Sequence, residues 1–143
     1  MGYGFPAGIG AKIANSSKEV VVIAGDGSFQ MNIQELATVD TYDVAVKVII
    51  LNNHYLGMVR QWQEIFYNRR YSGTPLKNPD FVKVAEGYGI KGIRIKKPSE
   101  IKSAVKEILA SKKAVVADFW IEPEENVFPM VPAGQGLKDM MWE

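Results

Sequence analysis

The alternation of short apolar runs with segments of helical periodicity is the feature that most restricts the possible folds. Apolar residues, many of them β-branched, form runs at 20–24, 44–51, 93–95 and 114–121. Apolar residues at helical spacing mark the segments 6–14, 32–41, 79–86 and the stretch that begins at Pro98. Continuous apolar runs are typical of strands covered on both faces of a parallel sheet. The pattern predicts a single α/β domain over residues 1–143, with an open, mostly parallel sheet and helices on both faces.

Composition excludes several classes of site and partner. The chain has no cysteine and a single histidine, His54, which excludes disulfides, thiolate nucleophiles, iron–sulfur clusters and the common zinc sites. A bound metal should therefore be a hard cation held by oxygen atoms, Mg²⁺ or Ca²⁺. The net charge of +1 provides no general attraction to nucleic acid or anionic lipid. Every apolar run is far shorter than the roughly 20 residues of a membrane helix, so we expect neither nucleic acid nor a membrane as partner.

Polar residues follow two of the predicted strands. Gly25-Asp26-Gly27-Ser28 comes after the first strand and Asn52-Asn53 after the second. In an open parallel sheet, ligands bind beyond the carboxyl ends of the strands. The two ends lie about 5 Å apart if the strands are neighbours, or about 10 Å apart with one strand between them. Asp26 and Asn53 could then share a cation, and so few protein ligands are typical of Mg²⁺ that also binds a substrate phosphate. The residues after Asp26 lead into a helix whose free amide groups suit phosphate oxygens, so the sequence indicates a magnesium-bridged phosphorylated ligand.

The segment 57–71 has two interpretations. Met58, Trp62 and Arg69 fall on one helical face, and a loop with a glycine and a proline follows. The simpler interpretation is a surface helix that packs its aromatic face into the core. The second is a lid that closes over a ligand, and the periodicity fits both.

Either polar motif alone is a common turn sequence, but their combination resembles the motif of thiamine-diphosphate-dependent enzymes. The resemblance extends to MGYGFPAGIGA at 1–11, LGMVRQWQ at 56–63 and VFPMVPAG at 127–134, which are similar to the large subunit of acetolactate (acetohydroxyacid) synthase. The match covers essentially the whole chain and corresponds to the C-terminal, diphosphate-binding domain of that family. It implies a thiamine-diphosphate-binding fold with thiamine diphosphate and Mg²⁺ as cofactors, and a chain that is a C-terminal fragment of a larger enzyme.

The resemblance implies roles for individual residues in the metal and diphosphate sites. Asp26 and Asn53 match residues that supply side-chain oxygens to Mg²⁺, and Tyr55 matches one that supplies its backbone carbonyl. In the family, backbone amides make most of the diphosphate contacts, and the matching residues are Gly25, Gly27, Ser28, Gly57 and Met58.

Further matches lie around the cofactor rings and the substrate. Met1 corresponds to a methionine near the rings, and Met58 and Trp62 correspond to residues that face the substrate and herbicide-binding channel. In the family, this tryptophan helps to favour 2-ketobutyrate over pyruvate as the second substrate. The segment 62–74 and the tail from Pro129 are similar to pieces that close over the active site, which favours the lid interpretation of the segment 57–71.

The implied enzyme decarboxylates pyruvate and condenses the hydroxyethyl unit with pyruvate or 2-ketobutyrate, in branched-chain amino-acid biosynthesis. The glutamate that activates the cofactor and the domain that binds FAD belong to other parts of the family's chain. We therefore expect no catalytic residue in this chain, FAD only in the full-length enzyme, and no activity from the isolated chain.

Expected partners are the missing N-terminal domains, a second catalytic subunit in a homo-oligomer, a small regulatory subunit, and a 2-keto acid substrate. The unpaired wall of an active site shared between subunits should leave an apolar surface around Met1, Phe5, Met58 and Trp62. The expected compartment is the cytoplasm of a prokaryote or the stroma or matrix of a eukaryotic organelle.

Two alternatives to this function stay open. One is the same domain of another thiamine-dependent decarboxylase, oxidase or carboligase. The other is a non-catalytic α/β binding module. His54 is interpreted as a polar loop residue and Asp118 as a strand carboxylate satisfied by a neighbour, so neither receives a functional role.

Overall fold

A four-stranded parallel sheet forms the centre of the fold in the computed structural model, which describes residues 1–142. The strands are β1 (Val21–Gly25), β2 (Lys47–Asn52), β3 (Lys91–Ile95) and β4 (Val115–Trp120), and their spatial order is β1-β2-β4-β3. All three pairings are parallel, and Gly25 at the end of β1 aligns with Leu51 of β2. The predicted α/β class with a parallel sheet is confirmed, and the carboxyl ends of β1 and β2 are neighbours.

Helices connect the strands across both faces of the sheet. Their bounds are α1 (Gly4–Ala14), α2 (Asp26–Gln30), α3 (Leu36–Thr41), α4 (Gly57–Phe66), α5 (Phe81–Gly87) and α6 (Pro98–Ala110), with 3-10 helices at Ile33–Glu35 and Leu137–Asp139. The local sequence explains where two of them begin. The Asp80 carboxylate accepts hydrogen bonds from the first amides of α5, and α6 begins at Pro98, whose missing N–H costs nothing at that position. No helix within residues 1–142 combines the length and the hydropathy that crossing a bilayer requires.

The larger part of the core lies between the sheet and α1, α2, α3 and α5. At its centre, the ring of Phe29 contacts Phe5 and Phe81, with centroids 5.1 and 5.7 Å away. The backbone of α1 approaches β1 closely, because a Cβ atom placed on Gly8 would lie only 2.1 Å from a methyl of Val22. On the opposite face, α6 packs on β3 and β4 and buries a smaller apolar cluster.

Coverage of the sheet differs from the expectation at β1. The side chains of β4 are buried from Val115 to Phe119, as a continuous apolar run predicts. In β1, however, Ile23 is 66% exposed and Val21 is also exposed, as is Leu51 of the neighbouring β2, because α6 lies over the other half of the sheet. The expected exposure of Phe5 is wrong, since α1 begins at Gly4 and directs this ring into the core.

Candidate functional site

The site lies at the carboxyl edge of the sheet, where β1 and β2 end side by side. Asp26 follows β1 as the first residue of α2, and Asn53 directly follows the last residue of β2. Because the two strands are paired in register, both motifs predicted from the sequence reach the same point of the edge. Of the two spacings that the sequence leaves open, the structure has the shorter one, because β1 and β2 are direct neighbours.

Asp26 is a buried carboxylate, 1% exposed, that receives its hydrogen bonds on one oxygen only. Its Oδ2 accepts from the backbone N–H of His54 at 3.0 Å and from the Asn78 side-chain amide at 2.6 Å. No side chain or backbone amide within residues 1–142 donates a hydrogen bond to Oδ1. This oxygen is not sealed from solvent. No lysine or arginine in this part of the chain forms an ion pair with Asp26, so its negative charge is available to a cation that enters from outside.

A tight turn at residues 52–55 presents two more oxygen atoms to this position. His54 adopts φ of 60°, a left-handed conformation that is strained for a residue with a side chain and is stabilised here by its contact with Asp26. The Asn53 Oδ1 atom accepts from the N–H of Tyr55 at 3.1 Å, which holds the amide side chain across the turn. The Tyr55 carbonyl accepts no hydrogen bond from residues 1–142.

Three glycines surround these oxygen atoms, and they differ in how much space lies beside them. A Cβ atom added to Gly25 would meet nothing within 4 Å, whereas one added to Gly27 would lie 2.9 Å from Leu56 and 3.5 Å from the Met1 methyl. One added to Gly57 would lie 3.2 Å from the Asn53 amide nitrogen. The Ser28 hydroxyl accepts from the N–H of Gly2 at 2.9 Å, which ties the N-terminal segment to α2. The structure thus places Met1 and all the predicted diphosphate and metal residues around one position, where α2 and α4 begin.

Helix α4 is amphipathic, but its polar face is buried and its apolar face is exposed. Its polar residues Arg60 and Gln61 are 0% and 1% exposed, whereas Met58 is 48% and Trp62 38% exposed. The Trp62 ring packs edge-on against the exposed ring of Phe66, with the ring centroids 5.3 Å apart. The interpretation of this segment as a helix with its aromatic face in the core is therefore wrong, and the apolar face of α4 points away from the sheet.

The C-terminal tail explains why the polar face of α4 is buried. The side-chain amide of Gln61 donates to the Val127 carbonyl at 3.0 Å and accepts from its N–H at 2.8 Å. Arg60 donates to both Asn126 and Glu64. The hydrogen bond from Arg60 lowers the pKa of Glu64 below its ordinary value of 4.5, against the opposing effect of burial. The tail therefore covers the polar side of α4 and leaves the side that carries Trp62 uncovered.

A second buried carboxylate, Asp118, lies one strand away and is fully satisfied. Its oxygens accept from Asn52 at 2.9 Å, from the Arg94 guanidinium at 3.2 Å and from the Trp120 indole at 3.1 Å. Arg94 also pairs with Asp80 and holds the pKa of that carboxyl below its ordinary value. The prediction that a neighbour satisfies Asp118 is confirmed, and the contrast with Asp26 is clear, since Asp118 has a cationic partner.

Comparison with known proteins agrees with this geometry. Residues 1–119 match the family described as "Thiamine pyrophosphate enzyme, C-terminal TPP binding domain", in which TPP is thiamine diphosphate. The chain belongs to this family. It is 43% identical over 143 residues to the acetolactate synthase large subunit of Cyanidium caldarium and 47% identical over 137 residues to the mitochondrial acetolactate synthase of Schizosaccharomyces pombe. These matches cover 99% and 96% of this chain but only 24% and 20% of those proteins.

A solved structure shows the same fold for the thiamine pyrophosphate enzyme domain. The thiamine diphosphate-dependent 4-hydroxybenzoylformate decarboxylase of Rhodococcus jostii RHA1 superposes with a TM-score of 0.76 and 31% sequence identity. The superposition covers 87% of this chain and 23% of the decarboxylase. The family is therefore found in enzymes several times longer than this chain, and the chain spans about a quarter of the length of the acetolactate synthase large subunit that it matches.

The residues present fit the cofactor that the family name specifies. A carboxylate, an amide oxygen and a backbone carbonyl are all hard oxygen ligands, the type that Mg²⁺ prefers. No group of three or more His, Cys, Asp or Glu side chains that could hold a metal occurs in residues 1–142.

Sequence reasoning missed Asn52 and Asn78 as parts of this site. The sequence motif predicts no role of its own for Asn52, but in the structure its Oδ1 accepts a hydrogen bond from the N–H of His54 at 3.3 Å. Asn78 lies more than 20 residues after the motif, shortly before the start of α5. Nothing in the local sequence indicates that its side chain contacts Asp26.

Proposed function

We propose that this chain binds thiamine diphosphate through Mg²⁺ held by Asp26, Asn53 and the Tyr55 carbonyl. The observation that carries the proposal is the state of Asp26, a buried carboxylate with one bonded oxygen, one free oxygen and no cationic partner within residues 1–142. Burying such a charge is costly unless a cation compensates for it. A divalent cation at this position would remove that cost, and the two further oxygen atoms in the 52–55 turn support the same placement.

The diphosphate would lie against the backbone amides of Gly27, Ser28, Gly57 and Met58. These amides belong to the first turns of α2 and α4, where N–H groups lack partners within the helix. The open space at Gly25 supports this, because a Cβ atom added there would meet nothing within 4 Å and the backbone can be approached closely.

The wider activity that we propose is that of acetolactate synthase, in branched-chain amino-acid biosynthesis. Bound thiamine diphosphate supplies a carbon nucleophile that adds to a 2-keto acid and stabilises the charge left after decarboxylation. The role of this chain is to anchor and orient the cofactor, while Met58 and Trp62 contact the 2-keto acid. The identities of 43% and 47% to acetolactate synthases, against 31% to the decarboxylase, support this activity over another thiamine-dependent reaction.

A complete active site would need elements that residues 1–142 do not provide. We propose that the glutamate that activates the cofactor, and the binding site for FAD, come from the other domains of such an enzyme. The exposed apolar face of α4, with Met58 at 48% and Trp62 at 38% exposed, suits a second catalytic subunit that completes the substrate channel. The proposed assembly is a homo-oligomer, with a small regulatory subunit as a further partner, in the cytoplasm or in an organelle according to the source.

Isothermal titration calorimetry tests the binding function directly. Thiamine diphosphate should bind with Mg²⁺ present and should lose nearly all measurable affinity when a chelator replaces the metal. Thiamine, which lacks the diphosphate, serves as the matched control and should not bind under either condition. Equal binding of thiamine diphosphate with and without Mg²⁺ would contradict the proposed metal bridge.

An activity assay tests the need for other domains. The chain is incubated with pyruvate, thiamine diphosphate, Mg²⁺ and FAD, and acetolactate is measured as acetoin after acid treatment. We expect no product, because an active site without its second wall admits water and lacks the activating glutamate. Turnover at the rate of an intact synthase would show that the site is complete without them.

A further inference from the structure

Asn78 reaches the metal site through a segment that pairs with the 52–56 turn. The N–H of Leu56 donates to the Thr74 carbonyl at 2.9 Å, and the N–H of Leu76 donates to the His54 carbonyl at 2.7 Å. Tyr55 and Pro75 form an antiparallel bridge between these two hydrogen bonds. This short pairing holds the backbone of residues 74–76 against the turn and brings Asn78, two residues further on, next to Asp26.

The side-chain amide of Asn78 donates to two acceptors at once. Its Nδ2 lies 2.6 Å from Asp26 Oδ2 and 2.9 Å from Asn52 Oδ1. Its own Oδ1 is sealed from solvent and accepts no hydrogen bond within the part of the chain that the structure describes. The reverse orientation of the amide would place its oxygen against the Asp26 carboxylate, so the buried charge determines which way the group points.

We propose that Asn78 is a positioning residue for the metal site, which fixes Asp26 so that Oδ1 faces the cation. This inference rests on the proposed binding of thiamine diphosphate and Mg²⁺. With Oδ2 held by Asn78 and by the N–H of His54, the carboxylate cannot rotate without losing both hydrogen bonds. The unbonded oxygen is then presented to the cation in one orientation.

The chemistry of the donor supports this role over a purely structural one. An amide is neutral, so it orients the carboxylate while leaving its full negative charge to attract a cation. The other buried carboxylate of this edge, Asp118, is instead bonded to a cation, the Arg94 guanidinium, which it shares with Asp80. The buried Asn78 oxygen that lacks a partner is unfavourable, and the hydrogen bond that the same amide donates to a charged acceptor offsets this cost.

Titration with Mn²⁺ in place of Mg²⁺ tests the role of Asn78 without any measurement of turnover. The signal of free Mn²⁺ in electron paramagnetic resonance, recorded at saturating thiamine diphosphate, gives the concentration at half-saturation. For Asn78→Ala we expect this concentration to rise about tenfold or more, as for other residues that orient metal ligands. Asn78→Ser, which restores a shorter donor, should give an intermediate value. Asn15→Ala is the matched control, because Asn15 ends α1 at the opposite edge of the sheet, and it should bind Mn²⁺ as the parent does.

The outcomes separate the two proposals. If the parent retains no Mn²⁺ with thiamine diphosphate, the proposed function fails, and the role of Asn78 fails with it. If the parent binds and Asn78→Ala has an unchanged half-saturation, the positioning role alone is overturned. A loss of thermal stability in Asn78→Ala without a change in half-saturation would have the same meaning, since a structural role changes folding and not metal affinity.

A measurement on the parent covers the case in which Asn78→Ala does not fold. With ¹⁵N-labelled asparagine, the side-chain amide of Asn78 should be shifted by its bond to the carboxylate and should move again when Mg²⁺ and thiamine diphosphate are added. The Asn15 side-chain amide should not move. If the chemical shift of the Asn78 side-chain amide does not change when Mg²⁺ and thiamine diphosphate are added, the proposal is overturned.

Discussion

Removal of the Asp26 carboxylate should abolish cofactor binding at a small cost in stability. Asp26→Ala deletes two hydrogen bonds to a charged group, from His54 at 3.0 Å and Asn78 at 2.6 Å, each of which contributes about 1.5–3 kcal/mol. Both donors keep a second acceptor, Asn52 Oδ1, at 3.3 and 2.9 Å, so neither becomes unsatisfied. Removing a buried charge without a cationic partner also relieves its desolvation cost. The net loss should be about 1–2 kcal/mol, well below the 5–15 kcal/mol of a typical domain.

The assay combines thermal unfolding with calorimetric titration of thiamine diphosphate and Mg²⁺. We expect a Tm lower by about 2–8 °C and no measurable binding. The control is Glu100→Ala, which also removes one negative charge and two hydrogen bonds, here from the N–H groups of Lys96 and Lys97 at 3.0 Å. The control should lose stability yet bind the cofactor as the parent does. An Asp26→Ala variant that binds thiamine diphosphate as tightly as the parent would show that Asp26 does not hold the metal. A variant that fails to fold would show that the carboxylate is primarily structural.

Three further results are expected. Trp62→Leu should lower the free energy of unfolding by less than about 1.5 kcal/mol, because this residue is 38% exposed. In the assembled enzyme the same substitution should weaken the preference for 2-ketobutyrate over pyruvate and the sensitivity to herbicides. A variant that does not fold would contradict this expectation. Phe29→Ala should lower the free energy of unfolding, measured in urea, by about 3–5 kcal/mol, because this residue is 1% exposed. A decrease as small as that of Trp62→Leu would show that Phe29 is not at the centre of the core. The hydrogen bond from Arg60 lowers the pKa of Glu64, so the stability that this carboxylate contributes is complete above pH 4.5 and is lost as the pH falls through the folded-state pKa. The protection factors of the amides at residues 125–127, which correct for slower intrinsic exchange in acid, should therefore fall at low pH. Glu64→Gln should remove this pH dependence, and a tail that stays protected in acid in the parent would disprove the link.

The strands were predictable because burial on both faces leaves a direct trace in the sequence. The run 114–121 contains β4 almost to the residue, and the run 44–51 contains most of β2. The second prediction began too early, since Val44 and Val46 are buried core residues in the loop that enters the strand. An apolar pattern reports burial, and a buried loop gives the same pattern as a strand.

The reversed orientation of α4 could not be predicted, because the periodicity of a helix does not say which face meets the protein. Arg60 and Gln61 are buried only because the tail at 125–127 supplies acceptors and donors for them. That pairing joins residues more than 60 positions apart and has no local signal. The exposed apolar face of α4 is a consequence of it.

The candidate site was predictable where it depends on local motifs and not where it depends on tertiary contacts. Asp26 and Asn53 follow strands directly, so the topology of a parallel sheet is enough to bring them together. Asn78 joins them only through the pairing of residues 74–76 with the 52–56 turn, which periodicity does not reveal. Its contribution can be read only from the hydrogen bonds of Asp26.

A crystal structure of the chain with Mg²⁺ and thiamine diphosphate would show whether Asp26 and Asn53 hold the metal that anchors the cofactor. We expect one cation in contact with Asp26 Oδ1, Asn53 Oδ1 and the Tyr55 carbonyl, and with oxygens of the diphosphate. We also expect Asn78 to remain bonded to Asp26 Oδ2. A cation bound elsewhere, or a diphosphate held without a metal at Asp26 and Asn53, would show that the proposed metal site is wrong.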